Sequence, residues 1–300
     1  MKTMKRLIGR NIKLFFKDKG LFFTSLITPM ILLVLYATFL GNVYRDSFLS
    51  TVPVGMEVSE KVTNGMVAGQ LFSSLLAVCC VTVAFCSNML MVQDKMTGAK
   101  KDMSLAPLKP SHLAVSYYVA TFCSTFLICV IATLVCFGYV ATQGWFLSLL
   151  DVGMIFLDVF LMVMFGTALS SLINFFLSSQ GQISAVGTIV SSCYGFICGA
   201  YMPISQFPEG LQRVISFLPG TYGTSLLRQH AMRGSIAAME EEGLPTPVID
   251  ALKDAMDCNL YFYDKAVPEW VMFLIVGGSV ALILGAYVLI CAAGQRKKQR

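Results

Sequence analysis

Asp151 and Asp158 stand seven residues apart in the run LLDVGMIFLDVFLMVMFG (149–166), in which every other residue is apolar or glycine. Seven residues are two helical turns, so both carboxylates fall on nearly one face of a helix. In a helix that enters a bilayer at residue 146, Asp158 sits roughly 18 Å along the axis, near the middle. A carboxylate there costs several kcal/mol unless it is protonated, paired or hydrated, so it faces the bundle interior or a polar cavity. Its chemistry is then proton or cation handling, the polar wall of a path, or a hydrogen bond to a neighbouring helix through Asn88, Gln70 or a serine. Spacing alone leaves these readings open for Asp158. For Asp151, which reaches toward the interface, it favours the structural one.

Other chemistry is thinly supplied. No Gly-Lys dipeptide occurs, which rules out a GxxxxGK[ST] phosphate loop, and no GxSxG occurs. The ten cysteines form no CxxC, and nine lie in or at the ends of apolar runs, where cysteine behaves as a small hydrophobe. Cys258 alone sits in a polar segment and reads as a free thiol. Neither a disulfide framework nor a metal site is expected, and an enzyme is a poor fit.

The elements that must hold these residues are membrane helices. Of 300 residues 56% are hydrophobic and 13% charged, about half the charge of an ordinary soluble domain. Six stretches, 21–41, 66–92, 113–139, 146–177, 183–204 and 270–293, are long enough for a hydrocarbon core about 30 Å thick. The first is too long for a signal-peptide core. Segments 1–20, 93–111 and 294–300 carry fifteen Lys and Arg; the alternate set carries seven, five of them in the long 205–269 segment. The positive-inside rule therefore places both termini and 93–111 in the cytoplasm. His112 and His230 then lie on opposite sides, which excludes a shared metal. The basic excess orients the chain in its membrane and does not point to nucleic acid.

Non-spanning pieces complete the expected architecture. Met4, Leu7, Ile8, Ile12 and Phe15 share a face within the basic stretch 1–20, the pattern of a cytoplasmic interfacial helix touching lipid. Residues 205–234 are too polar to span and too apolar to be free, which suggests two short helices dipping into the outer leaflet. In 235–269, Thr246-Pro247 marks a helix start for a surface helix with Val248, Leu252 and Met256 on one face. Gly195 and Gly199 form a GxxxG, and Gly277, Ala281 and Gly285 repeat the spacing in the last span. Such faces pack helices closely, within one subunit or across a dimer.

The strip QDKMTGAKKDMSLAPLKP (93–110) is too long for a simple turn. Met96, Ala99, Met103 and Ala106 recur at helical spacing, lysines and Asp102 decorate the rest, and Pro107 stops the helix. A solvated loop and a short lever for a partner are both consistent with this pattern.

The chain resembles the permease subunits of ATP-binding-cassette (ABC) transporters of the type-2 exporter class. Asp94, Lys95, Gly98 and Pro107 look like that family's first cytoplasmic loop, with Asp94 for the usual Glu and Ala99-Lys100-Lys101 for Thr-Leu-Glu. GAYMPISQFPEGLQRVISFLPGTYGTSLLR (199–228) is similar to its signature after the fifth span, punctuated by Pro203, Pro208, Pro219 and Gly220.

The resemblance implies an all-α integral membrane protein with an interfacial helix (1–20), spans one to five (21–204) and a coupling loop (93–111). An extracytoplasmic segment with re-entrant helices (205–269), a sixth span (270–293) and a basic tail (294–300) follow. It implies coupling through Asp94, Lys95, Met96, Gly98, Ala99, Met103 and Pro107 to a separate ATPase subunit, which alone binds ATP and magnesium. A second permease copy, identical or not, completes the transporter. Export of a drug, lipid, glycoconjugate or peptide across the cytoplasmic membrane is the implied function. A secondary transporter or ion channel using Asp158 is the alternative.

Overall fold

The computed structural model describes residues 2–51, 58–105, 110–263 and 265–296. Helix α1 (Lys2–Lys17) turns its half-buried Leu7 and fully buried Phe15 inward and its lysines outward. It packs along α7 (Pro110–Gln143), so the amphipathic N-terminal stretch has protein as well as solvent beside it. Asp18 caps α2 (Lys19–Leu35) by accepting from the Leu21 amide at 3.1 Å. A π-helical turn, Tyr36–Leu40, joins α2 to α3 (Gly41–Thr51).

Helix α4 (Glu60–Ser87) is the axis of the molecule, buried almost throughout. Around it pack α2, α7, α8 (Leu149–Phe176), α9 (Gln180–Ile197) and α11 (Pro219–Glu241). Glycine sets the close approaches. A Cβ at Gly166 of α8 would lie 2.7 Å from the Cys80 carbonyl of α4, and one at Gly69 of α4 would lie 2.9 Å from the Ala231 carbonyl of α11. Local chemistry fixes the helix starts: Ser148 with Asp151, and Ser179 with Gln182, form reciprocal capping boxes on α8 and α9.

Beyond α4 the chain continues as α5 (Met89–Met96) and α6 (Ala99–Leu105). After α9 come α10 (Glu209–Ile215), α11, α12 (Thr246–Ala255), a two-residue antiparallel hairpin of β1 (Tyr261–Phe262) with β2 (Lys265–Ala266), and α13 (Glu269–Arg296).

Among the described residues, five helical stretches are long and apolar enough to cross a bilayer: Lys19–Asp46, Glu60–Met96, Ser111–Gln143, Leu149–Phe176 and Glu269–Ala293. The expected fifth stretch, 183–204, ends early, because Ile197 closes α9 and Gly199 (φ +74°) turns the chain. The segment expected to hold two short dipping helices holds one short helix, α10, and the 23-residue α11, which is buried against α4 and α8. Helix α12 starts one residue earlier than expected, with Pro245 at the cap position and Thr246 already helical. The hairpin went unforeseen, since strands of two residues leave no periodic trace.

Candidate functional site

At the end of the bundle that carries α1, the α4–α5–α6 connection is held by side chains from three other helices. Asn88, where α4 gives way to α5, donates to the hydroxyls of Ser170 (3.1 Å) and Ser171 (3.0 Å) on α8. Asp94 is buried and accepts both Arg10 Nη1 and Nη2 of α1, at 2.7 and 2.9 Å. The Tyr117 hydroxyl of α7 donates to the same carboxylate at 2.6 Å. A two-pronged guanidinium contact with a third, neutral donor is a strong, directional arrangement.

Lys95 points the other way. Its ammonium donates to the carbonyls of Asn174 (2.9 Å), Phe175 (2.5 Å) and Leu177 (2.8 Å). These carbonyls lie at and just past the end of α8, where a cation also meets the negative pole of the helix dipole. The Phe175 ring lies 5.4 Å from this ammonium and 5.5 Å from that of Lys100. Gly98 (φ +83°) then reverses the chain into α6, a conformation costly for any residue with a Cβ.

Among the residues the sequence singled out in this loop, two anchor and one, Met96, projects, joined by Leu105, which the sequence reading did not single out. Asp94 and Lys95 are bound inside the chain, and Ala99 opens α6. Met96 is 47% exposed and Leu105 81%. Met103, expected on an outward face with Met96 and Ala99, packs instead against this chain's own cluster of Met91, Leu113 and Tyr117. The cause is the break at Gly98, which puts Met96 and Met103 on different helices. Pro107 and Ala106 lie outside the described residues.

At the opposite end, both aspartates of α8 are buried and paired. Asp158 does not reach Asn88, Gln70 or a serine, as spacing suggested. It accepts from His230 Nδ1 of α11 at 2.6 Å. The other ring nitrogen, Nε2, faces Glu269 of α13 at 3.1 Å. Arg233, one turn on, joins Glu269 (3.3 Å) to Asp151 (3.4 Å). Asp151 also caps α8 by accepting from the Ser148 hydroxyl at 2.7 Å. Arg228 and Asp257 form a second buried pair at 3.1 Å, 1% and 6% exposed. Arg228 also donates to Ser74 of α4 at 3.2 Å and to the Gly199 carbonyl, while Asp257 accepts from the Ile204 amide at 2.7 Å. Burial holds the Asp257 carboxyl above its ordinary range, and the Arg228 charge offsets only part of that rise.

The prolines act as punctuation. Pro203 precedes a 3₁₀ turn, Pro208 precedes α10, and Pro219 opens α11. Gly220 leaves room for the Tyr194 hydroxyl, to which a Cβ would approach within 2.6 Å. Gly195 makes space for the Tyr201 ring as the chain folds back, so the GxxxG of α9 accommodates a turn and not a neighbouring helix. On α13, Gly277 and Gly285 have nothing within 4 Å of a built Cβ, so their face is open within this chain. Cys258, expected in a polar setting, is buried, and its carbonyl accepts from the Ser225 hydroxyl of α11 at 3.0 Å.

The sequence profile described as "ABC-2 family transporter protein" matches residues 50–293, from the end of α3 into the last turn of α13. The chain belongs to that family. A search of curated proteins gives no match. As an ABC-2 transporter protein the chain is the multi-pass membrane component of an ABC transporter, in keeping with its five long apolar helices. The anchored α5–α6 loop lies inside the matched region, as do α11 and its charges.

Sequence reasoning missed Arg10, Tyr117, Arg228, His230, Arg233, Asp257 and Glu269. A usable signal existed. Three cationic or titratable residues fall within six positions of a stretch too apolar to be loop, while α8 carries two carboxylates with no partner of its own.

Proposed function

We propose that this ABC-2 permease exports a hydrophobic or amphipathic cargo from the cytoplasm, driven by a separate ATPase subunit that grips the 93–111 loop. In this reading α9 is the fifth of six spans, α10 and the start of α11 form a re-entrant unit in the outer leaflet, and the termini are cytoplasmic. ATP and magnesium bind the ATPase subunit, and a second permease copy completes the pathway in the lipid bilayer.

One observation carries the reading: the loop's base is fastened to three helices while its tip presents apolar side chains to solvent. Asp94 binds α1 and α7, Lys95 closes α8, and Leu105 at the tip is 81% exposed. An exposed leucine on a rigidly mounted seven-residue helix suits insertion into a groove of another protein. Force applied at the tip then reaches α1, α7 and α8 through charge-assisted bonds instead of dissipating in a flexible loop.

A secondary carrier built on Asp158 is less well supported, because the ionised chain that includes it runs toward one end of the bundle only. Leu105→Asp tests the reading: the permease inserts normally and loses co-purification with its partner ATPase subunit. Retained co-purification and ATP-driven transport removes the loop from that role.

A further inference from the structure

The chain Asp158–His230–Glu269–Arg233–Asp151 draws on α8, α11 and α13, and it is not needed for the coupling described above. Its geometry defines its charge. Carboxylate oxygens of Asp158 and Glu269 face the two ring nitrogens of His230 at 2.6 and 3.1 Å. An ionised carboxylate only accepts, and a neutral imidazole has one donor, so with Asp158 and Glu269 both ionised the two contacts are made only when the ring carries two protons. With His230 protonated, three carboxylates oppose two cations; with it neutral, three oppose Arg233 alone. His230 and Asp158 side chains are both 0% exposed, where unbalanced charge is most expensive.

Proton access to the cluster is one-sided. A cavity of about 540 Å³, beneath the β1–β2 hairpin, is lined by Gln229, Arg233, Glu240, Lys253, Val267 and Glu269. Water there meets Glu269, 37% exposed, and through it His230 and Asp158. Beyond Asp158 the buried neighbours along α8 are Val159, Met162, Val163 and Phe165. The next hydroxyl along α8, Thr167, is nine residues and about 14 Å on, turned to the opposite face of the helix, and has no hydrogen-bond partner among the described residues. Asp158 Oδ1 likewise has none. Along α8, among the described residues, the run of paired polar groups ends at Asp158.

We propose that this cluster is a proton-operated latch: protonated His230 clamps α11 between α8 and α13, and the proton comes from the solution on the side of the hairpin. The groups facing the ring are Asp158 from α8, Glu269 from α13 and Arg233 from α11 itself. Helix α4 carries no charge beyond Lys61, and the cavity wall adds Glu240 and Lys253. Burial alone lowers the imidazole's proton affinity; the bonds to Asp158 and Glu269 outweigh it, leaving a net rise above the ordinary histidine value. A raised histidine contributes its clamping fully below the ordinary value and loses it as pH climbs through the raised one. Acid closes the latch, and alkali loosens it.

The test uses the full chain in lipid nanodiscs, with labelled histidine and 5-fluorotryptophan. Only His112 and His230 report on the ring, and only Trp145 and Trp270, which adjoins Glu269, report on packing. The expected result is that the His230 and Trp270 resonances move with one midpoint, above that of free histidine. His230→Gln abolishes the Trp270 response. Glu269→Gln keeps the ring and lowers the midpoint by roughly one pH unit. In sealed vesicles of one orientation, the response follows the pH on the hairpin side. A His230 titration that leaves Trp270 unmoved, an unchanged midpoint in Glu269→Gln, or a response to the opposite side overturns the latch.

Discussion

Replacing Arg228 with methionine keeps the length of the side chain and removes its charge from the middle of the protein. The change deletes the 3.1 Å bond to Asp257, the 3.2 Å bond to Ser74 and the bond to the Gly199 carbonyl. Asp257, 6% exposed, is left with the Ile204 amide and no counter-charge. Removing one partner of a buried ion pair costs about 3–5 kcal/mol, more than the net value of the pair, because the remaining charge is stranded.

Asparagine at 257 tests that account. It keeps an acceptor for the Ile204 amide and tolerates the left-handed backbone that Asp257 adopts (φ 54°). Asp257→Asn alone is expected to cost roughly 2–3 kcal/mol. In the Arg228→Met background it costs almost nothing, since no charge is left to strand. Equilibrium unfolding of the four proteins by SDS in mixed micelles then gives a coupling energy of about 2 kcal/mol or more. Additivity within about 0.5 kcal/mol refutes the reasoning, because independent sites behave that way.

Gly195→Ala places a methyl inside the Tyr201 ring and is expected to destabilise the permease by about 1–3 kcal/mol in the same assay. Adding Tyr201→Ala recovers most of the loss; failure to recover it means the glycine serves something other than that ring. Burial pushes the Cys258 thiol up to about 12, so its thiolate fraction near neutral pH is about a thousandfold below that of a free cysteine. Cys258 should resist maleimide in the native protein and label on unfolding; rapid native labelling shows that the packing around it opens.

Hydropathy made most of the helices legible. Long apolar runs fix α4, α7, α8 and α13 to within a few residues of the expected spans, because a bilayer-length helix needs little beyond composition. Helix α11 was not legible, and the reason is Arg228, His230 and Arg233. They depress its hydropathy to that of a surface segment, yet each is neutralised by an acid far away in sequence: Asp257, Asp158, Glu269 or Asp151. Pairing of that kind has no local signature. The same holds for Asp94, whose place in the loop motif suggested contact with another protein. Its partners, Arg10 and Tyr117, are 84 and 23 residues away in this chain. Met103 misled for a simpler reason: a periodicity counted across Gly98 assumes one continuous helix where there are two.

Asp94 and Lys95 are neighbours in sequence, yet one is tied to the first and seventh helices and the other to the end of the eighth. Mount and exposed surface are therefore written in separate letters: Asp94, Lys95, the turn at Gly98 and the inward-packed Met103 hold the loop, while Met96 and Leu105 face solvent. The outward positions can change without disturbing the inward ones, so the loop's surface can be rewritten while the bundle beneath it keeps its fit.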